Sequence, residues 1–114
     1  MQFALTREIS PAIARCELTH LERVAVDLHR ARDQHAAYIE RLHAHGRTVI
    51  ALPADPESPD CVFVEDVAVV TDELAVITRP GAPSRRDEIV PVARALGYFR
   101  PLIPIVPPGT LDGG

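Results

Sequence analysis

Apolar residues recur at helical spacing in one long stretch of the chain. Between residues 24 and 42 they step by three and four positions, which places them on one face of an α-helix. That face consists of Val24, Leu28, Ala31, His35, Tyr38 and Leu42. Gly46 follows the last of these residues and favours a helix end there, and Thr19 and Glu22 have the spacing of a capping box. We therefore expect one long helix that begins at Thr19 or several residues later and ends near Gly46.

Shorter apolar runs, bounded by proline, glycine or charged residues, predict strands. They are Phe3–Arg7, Thr48–Leu52, Asp66–Thr71, Leu74–Thr78 and Ile103–Val106. Asp72 and Glu73 form a two-residue hairpin connection between the third and fourth strands. Three prolines in residues 53–59 fix the chain there as a loop.

A second helix is predicted from Arg86 to Leu96, with Ser84 as its cap. Pro91 lies inside this stretch and should kink the helix or move its start, because proline lacks an N–H group. The resulting order of strand, helix, strand, hairpin, helix and strand predicts an α/β fold with mixed sheets.

Composition narrows the class of protein. The chain has 114 residues, 46% hydrophobic and only 4% aromatic, which fits one domain with a modest aliphatic core. The net charge of −4, without a basic block, argues against a nucleic-acid partner. No apolar run approaches the ~20 residues of a membrane span, and the N-terminus does not resemble a signal peptide, so no membrane partner is expected. Cys16 and Cys61 form neither a disulfide framework nor a metal motif, so we expect a reduced, cytoplasmic protein without metal or cofactor.

Acidic residues bracket a short apolar run directly after the proline-rich loop. Asp60 precedes the run, Glu65 and Asp66 end it, and Phe63 lies within it. Carboxylates accept the paired N–H donors of a guanidinium, and an aromatic ring packs against its flat face. This segment therefore suits a planar cation. The alternative interpretation is a solvated loop whose acids cap a turn.

Two arginines, Arg85 and Arg86, follow a turn formed by Gly81, Ala82 and Pro83. One of them could hold a carboxylate through a bidentate contact, and the alternative is a surface pair at a helix start. Taken together with the acidic segment, an arginine for a carboxylate and an acidic subsite for a guanidinium match the two ends of an arginine-like amino acid.

The histidines lie around the first predicted helix, and none has the spacing of a zinc motif with a cysteine or an acid. His35 falls on the apolar face, where we expect a partnered core histidine. A catalytic cysteine–histidine pair that uses Cys16 or Cys61 stays open, because such pairs meet in space rather than in sequence.

Four segments resemble the dimethylarginine dimethylaminohydrolases. They are residues 34–38, 52–70, 77–86 and 110–114. That family belongs to the guanidino-group-modifying enzymes, and the resemblance implies part of a five-bladed α/β propeller, with about two ββαβ-type modules in this chain. It also implies hydrolysis of N-methylated arginine to citrulline and a methylamine. In the family a cysteine thiolate attacks the guanidinium carbon, a covalent thiouronium intermediate forms, and a histidine transfers protons.

The resemblance implies roles for five residues of the acidic segment and the arginine turn. Asp66 pairs with the substrate guanidinium and Glu65 supports that pocket. Asp60 takes the α-amino group, Arg85 takes the carboxylate, and Phe63 lines the pocket. These 114 residues are then expected to form an N-terminal, substrate-binding portion.

Two further residues receive roles by resemblance. Leu18 lies on a lid over the site, and Asp112 is a supporting acid near the catalytic histidine. In the family the catalytic histidine and cysteine come after the segment that matches residues 110–114. Neither Cys16 nor Cys61 matches the nucleophile, so the chain alone is expected to be inactive.

Other interpretations stay open at this stage. The chain could come from a related guanidine enzyme, such as an arginine deiminase or an amidinotransferase. It could instead be a short protein without enzymatic activity that binds a partner through exposed strand edges or sequesters a methylarginine. The partners expected are a small-molecule substrate and either a second copy of the chain or a complementing C-terminal chain.

Overall fold

A computed structural model of the protein describes residues 2–15 and 25–114, which form two compact units rather than the single core expected from the length. The first unit is Met1–Val62 and the second is Phe63–Gly114. The first contains β1 (Gln2–Arg7), a 3₁₀ turn (Ile13–Arg15), α1 (Leu28–Ala44) and β2 (Arg47–Leu52). The second contains a 3₁₀ turn (Val64–Asp66), β3 (Ala68–Val70), β4 (Ala75–Ile77), a 3₁₀ segment (Pro83–Glu88), α2 (Ile89–Leu96) and β5 (Leu102–Pro104).

The first unit is a strand–helix–strand arrangement in which β1 and β2 pair in parallel over six residues, from Gln2 opposite Arg47 to Arg7 opposite Leu52. Parallel strands need a long crossover, and α1 lies in it. Gly46 ends that helix as predicted, since its φ of 79° is the left-handed conformation that glycine adopts without strain.

The start of α1 differs from the capping box that the sequence suggested. Asp27 is the N-cap, and its side chain accepts a hydrogen bond from the backbone N–H of Arg30 at 3.0 Å. Thr19 and Glu22 lie outside the described residues. The helix therefore begins at Leu28, the later start that the sequence had left open.

The apolar face of α1 is only half-buried. Leu28, Ala31, His35 and Leu42 are partly covered, Tyr38 is exposed, and no residue of the helix is fully buried. Nε2 of His35 is buried without a hydrogen-bond partner among the described residues. The expectation of a partnered core histidine is therefore wrong for this atom.

The second unit is built on a three-stranded mixed sheet in the order β3–β4–β5, with β3 and β4 antiparallel and β4 and β5 parallel. The mixed α/β architecture predicted from the order of elements is confirmed. The predicted hairpin is confirmed too, because the Thr71 N–H donates to the Leu74 carbonyl at 2.9 Å around the Asp72–Glu73 turn. Five buried apolar residues form the core of this unit: Val67, Ala75, Ile77, Val92 and Leu96.

Pro91 explains the form of the second helical region. Inside an α-helix its ring would clash with the carbonyl four residues earlier, whereas the first turn tolerates it. The chain accordingly runs as a 3₁₀ segment through Glu88, and α2 begins at Ile89. The expected later start is confirmed. The predicted Ser84 cap is wrong, because Ala82 is the N-cap of the 3₁₀ segment and neither segment has a side-chain cap.

Among residues 2–15 and 25–114, no helix is both long and apolar enough to cross a membrane.

Candidate functional site

The acidic pair of the sequence motif lies on a 3₁₀ turn, not on the strand predicted to begin at Asp66. The Asp66 N–H donates to the Phe63 carbonyl at 3.1 Å and closes this turn. The Asp66 carbonyl accepts the hydroxyl of Thr78 at 2.9 Å, and Thr78 is almost completely buried. The backbone of Asp66 is thus fixed by its own turn and by the end of β4. Glu65 is exposed beside it.

Arg85 joins Asp66 and Glu88 in one charged cluster. Nη1 of Arg85 donates to Oδ2 of Asp66 at 2.7 Å. Nε and Nη2 of Arg85 donate to the two carboxylate oxygens of Glu88 at 3.1 and 2.9 Å. The Arg85 and Glu88 side chains are 10% and 2% exposed, while that of Asp66 is 25% exposed. We call these three residues the Arg85 cluster. It presents one partly exposed carboxylate held by a buried ion pair.

The two acidic partners of Arg85 stabilise its charged form. Burial alone lowers the pKa of a cationic side chain, because it removes water from the charged form. Hydrogen bonds with Glu88 and Asp66, and the charges of both acids, outweigh that effect and raise the pKa of Arg85 above its ordinary value. The guanidinium therefore stays protonated at neutral pH.

The 3₁₀ form of Pro83–Glu88 brings Arg85 and Glu88 onto one face of the segment. With three residues per turn, side chains at positions i and i+3 are eclipsed on one face, whereas the α-helix offsets them. Eclipsed Cα positions let the guanidinium edge meet the carboxylate edge side on, as a bidentate pair requires. Glu88 was not among the site residues predicted from the sequence. The signal was present, since a charged pair at i, i+3 lies between two prolines that disfavour a continuous α-helix.

The neighbouring arginine has a different role. Nε of Arg86 donates to the Pro80 carbonyl at 2.9 Å, and Nη2 donates to the Gly81 carbonyl at 3.5 Å. Arg86 therefore fixes the turn before the 3₁₀ segment rather than entering the charged cluster. Of the two arginines that the sequence offered, the structure places Arg85 next to an acid of the predicted site.

The segment around Asp112 packs against the acidic turn. Oδ2 of Asp112 accepts the Gly81 N–H at 3.3 Å, and the Gly113 N–H donates to the Asp66 carbonyl at 2.9 Å. A Cβ atom built on Gly113 would lie 2.5 Å from the carbonyl oxygen of Glu65, so only glycine fits this approach. Asp112 and the Arg85 cluster are therefore parts of one unit of structure, connected through the backbone of residues 65–66 and 113.

The remaining predicted residues lie elsewhere or outside the description. Phe63 is 38% exposed at the entrance of the 3₁₀ turn. Asp60 belongs to the first unit and is buried there next to Cys61, whose thiol donates to the Glu8 carbonyl at 3.5 Å. Leu18 lies outside the described residues. Within the described ranges, no group of histidine, cysteine or acidic side chains is arranged to hold a metal ion.

Comparison with known proteins gives a consistent relationship along nearly the whole chain. No protein-family model matches. A dimethylarginine dimethylaminohydrolase of Streptomyces coelicolor is 46% identical over 112 residues, which are 97% of this chain and 43% of that protein. The chain belongs to the dimethylarginine dimethylaminohydrolase family. It spans less than half the length of that relative.

Solved structures of the dimethylarginine dimethylaminohydrolases have the same fold over this region. A histidine-to-glycine variant in an adduct with S-methyl-L-thiocitrulline has a TM-score of 0.93 and 35% identity, and the match covers 99% of this chain and 45% of that one. A cysteine-to-serine mutant of the Pseudomonas aeruginosa enzyme, complexed with citrulline, has a TM-score of 0.90 and 34% identity over 99% of this chain and 46% of that one. The family resemblance inferred from the four sequence segments is confirmed.

Proposed function

We propose that these 114 residues carry the substrate-binding carboxylates of an enzyme that hydrolyses N-methylated arginine to citrulline and a methylamine. The observation that carries the proposal is Asp66, whose backbone carbonyl is bound by Thr78 and Gly113 and whose carboxylate is bound by Arg85. It lies on a chain 46% identical to a dimethylarginine dimethylaminohydrolase. The citrulline in a relative's structure is the product expected of this reaction.

Asp66 is the group proposed to bind the substrate guanidinium. A carboxylate has two oxygens with about four acceptor positions, and Oδ2 receives Nη1 of Arg85. Its other acceptor positions suit the paired N–H donors of a methylated guanidinium. A carboxylate at this position favours the protonated guanidinium, which keeps the carbon electrophilic, and a fixed geometry raises the effective concentration of a nucleophile. Glu65 beside it adds negative charge at the same end of the substrate.

The amino-acid end of the substrate is assigned by the same proposal to Asp60, for the α-amino group, and Arg85, for the carboxylate. Phe63 lines the pocket, Leu18 covers it, and Asp112 supports the catalytic histidine. The direct contact between Arg85 and Asp66 constrains this assignment, since the two groups would face opposite ends of the substrate. Glu88 takes an N–H of Nε and one of Nη2, and Asp66 takes one N–H of Nη1, so Arg85 must reach the substrate carboxylate with the second N–H of Nη1 or Nη2.

The nucleophile of the proposed reaction is a cysteine thiolate outside these residues. It forms a bond to the guanidinium carbon, the methylamine leaves with a proton delivered by a histidine, and water then releases citrulline and the thiolate. Cys61 does not suit this role, because it is almost fully buried and its thiol is hydrogen-bonded to the Glu8 carbonyl. Cys16 lies outside the described residues.

The same proposal extends to the architecture of the complete enzyme. The two compact units would be two modules of a five-bladed α/β propeller, with the catalytic portion in the other modules. A cytoplasmic location, and a second copy or a complementing chain as partner, remain predictions from the sequence.

Binding and turnover test the proposal separately. We expect the chain to bind asymmetric dimethylarginine in a calorimetric titration without releasing citrulline. Asp66→Asn should weaken binding by about tenfold or more, because it removes the charge of a charge-assisted hydrogen bond. Asp72→Asn, in the exposed hairpin turn, removes the same charge as a matched control. Citrulline release by the chain alone would contradict the assignment of the nucleophile, and a titration without heat would contradict the substrate assignment.

A further inference from the structure

Glu88 is a buried acid that neither the motifs nor the proposed roles include. It is 2% exposed, and both of its carboxylate oxygens accept hydrogen bonds from Arg85. Burying a carboxylate costs free energy unless a partner compensates for the lost water. The compensation here comes from Arg85, the same residue that contacts Asp66.

We propose that Glu88 is a positioning residue that sets the direction of Arg85 and thereby the position of the Asp66 carboxylate. This inference rests on the proposed function of Asp66 in binding a guanidinium. Two hydrogen bonds at Nε and Nη2 fix both the position and the plane of the guanidinium. With that edge fixed, Nη1 points at Oδ2 of Asp66 at 2.7 Å.

The exposed fractions of the three side chains indicate which residue positions which. It increases from 2% for Glu88 to 10% for Arg85 and 25% for Asp66. The most buried residue is therefore the anchor, and the most exposed residue is the one that a ligand can reach. Without the anchor, the guanidinium would lose the two hydrogen bonds that fix its plane, and any rotation about the long arginine stem would move the partner of Asp66.

Glu88→Gln tests this order, because it keeps the shape of the side chain but removes its charge. We expect the affinity for asymmetric dimethylarginine to fall by about tenfold, measured by NMR titration of the isotopically labelled chain. The affinity for N,N-dimethylguanidine, which lacks the amino-acid end, should also fall, because this part of the effect passes through Asp66; a larger loss for dimethylarginine is expected because Arg85 is also assigned to its carboxylate. Glu88→Asp keeps the charge on a shorter side chain and should restore part of the loss. Asp87→Asn, an exposed neighbour on the same 3₁₀ segment, is the matched control and should bind both ligands as the unmodified chain does.

Two binding results would overturn the inference. Equal affinities in Glu88→Gln and the unmodified chain would show that Glu88 does not position the site. A loss confined to dimethylarginine, with dimethylguanidine unaffected, would show that Glu88 acts on the amino-acid end and not through Asp66.

A second measurement tests the inference without relying on ligand binding. It is the rate at which the Nε–H proton of Arg85 exchanges with solvent. In the unmodified chain this proton should exchange slowly with solvent, since it is buried and donates to Glu88, and Glu88→Gln should speed its exchange at least tenfold. If neither ligand binds the unmodified chain, the proposed function is contradicted. The exchange rate of the Nε–H proton then still shows whether Glu88 anchors Arg85. Unchanged exchange in a folded Glu88→Gln variant would overturn the inference.

Discussion

The two units of the chain are stabilised in different ways. The first unit has two strands that pair over six residues and a 17-residue helix between them. The strands of the second unit are three residues long, and much of its order comes from side chains bound to backbone groups and from the Arg85 cluster. Regular pairing gives the first unit its form, whereas specific polar contacts give the second unit both its form and its candidate site.

The largest expected effect concerns the buried ion pair of the second unit. Arg85→Met should lower the free energy of unfolding by about 3–5 kcal/mol, because it removes the cation that forms a bidentate ion pair with the buried Glu88 carboxylate. The double variant Arg85→Met/Glu88→Leu should recover most of that loss, since it removes both charges. Chemical denaturation of the single and double variants measures the coupling between the two sites.

Arg86→Met provides the control for this cycle. It removes hydrogen bonds to the backbone carbonyls of Pro80 and Gly81 and leaves no buried acid unpaired, so we expect a loss of about 1 kcal/mol. If Arg85→Met costs no more than Arg86→Met, the second unit does not depend on its ion pair, and the contrast between the units disappears.

The sequence predicted the first unit better than the second for a physical reason. Apolar residues recur at helical spacing between Leu28 and Leu42, and an apolar run ends at Leu52. Because several residues support each of these elements, one misread residue shifts only the end of the predicted element. The start of α1 shows this, since Asp27 caps the helix instead of Thr19. Long regular elements are therefore predictable from pattern alone.

The candidate site depends on contacts that no periodicity records. Asp66 was placed on a strand, yet the turn that holds it depends on Thr78 and Gly113, which are distant in sequence. The pairing of Arg85 with Glu88 forms on a 3₁₀ segment, which Pro91 favours by excluding a longer α-helix. Composition identified the acids and the arginine, but their arrangement follows from these long-range contacts.

A smaller effect is expected where the Asp112–Gly114 segment meets the acidic turn. Gly113→Ala places a Cβ atom 2.5 Å from the Glu65 carbonyl oxygen, so the backbone must move and the hydrogen bond to Asp66 is weakened. We expect a loss of about 1–2 kcal/mol in the free energy of unfolding and a weaker affinity for dimethylarginine.

Gly81→Ala is the matched control for this change. A Cβ atom there would lie 3.5 Å from Oδ2 of Asp112, an ordinary contact, and the backbone of Gly81 is not left-handed. The variant should be neutral or slightly stabilising, because alanine reduces the freedom of the unfolded chain. Equal losses at the two glycines would show that the close approach at Gly113 is not specific.

The proline-rich loop of the first unit contains the same kind of polar contact that dominates the second. Oδ1 of Asp55 accepts the Glu57 N–H at 2.9 Å, and Oδ2 accepts the hydroxyl of the buried Ser58 at 2.8 Å. The hydrogen bond from Glu57 lowers the pKa of Asp55, with further lowering by Ser58 and by the charge of Arg7. Sequence alone had assigned this loop only a lack of regular structure.

The smallest expected effect is a dependence of the free energy of unfolding on pH, which comes from Asp55 in the first unit. Because the pKa of Asp55 is lower in the folded chain, the unfolded chain binds more protons between the two pKa values. Its contribution to stability is complete above the ordinary aspartate pKa of about 3.9 and is lost as the pH falls through the lowered value. Asp55→Asn should be slightly less stable than the unmodified chain at neutral pH, by less than either change in the second unit, since solvent screens the partly exposed carboxylate. Denaturation midpoints measured from neutral pH down to about pH 3 should converge for the two proteins. A difference that widened towards acid would contradict the proposed role of the Asp55 carboxylate.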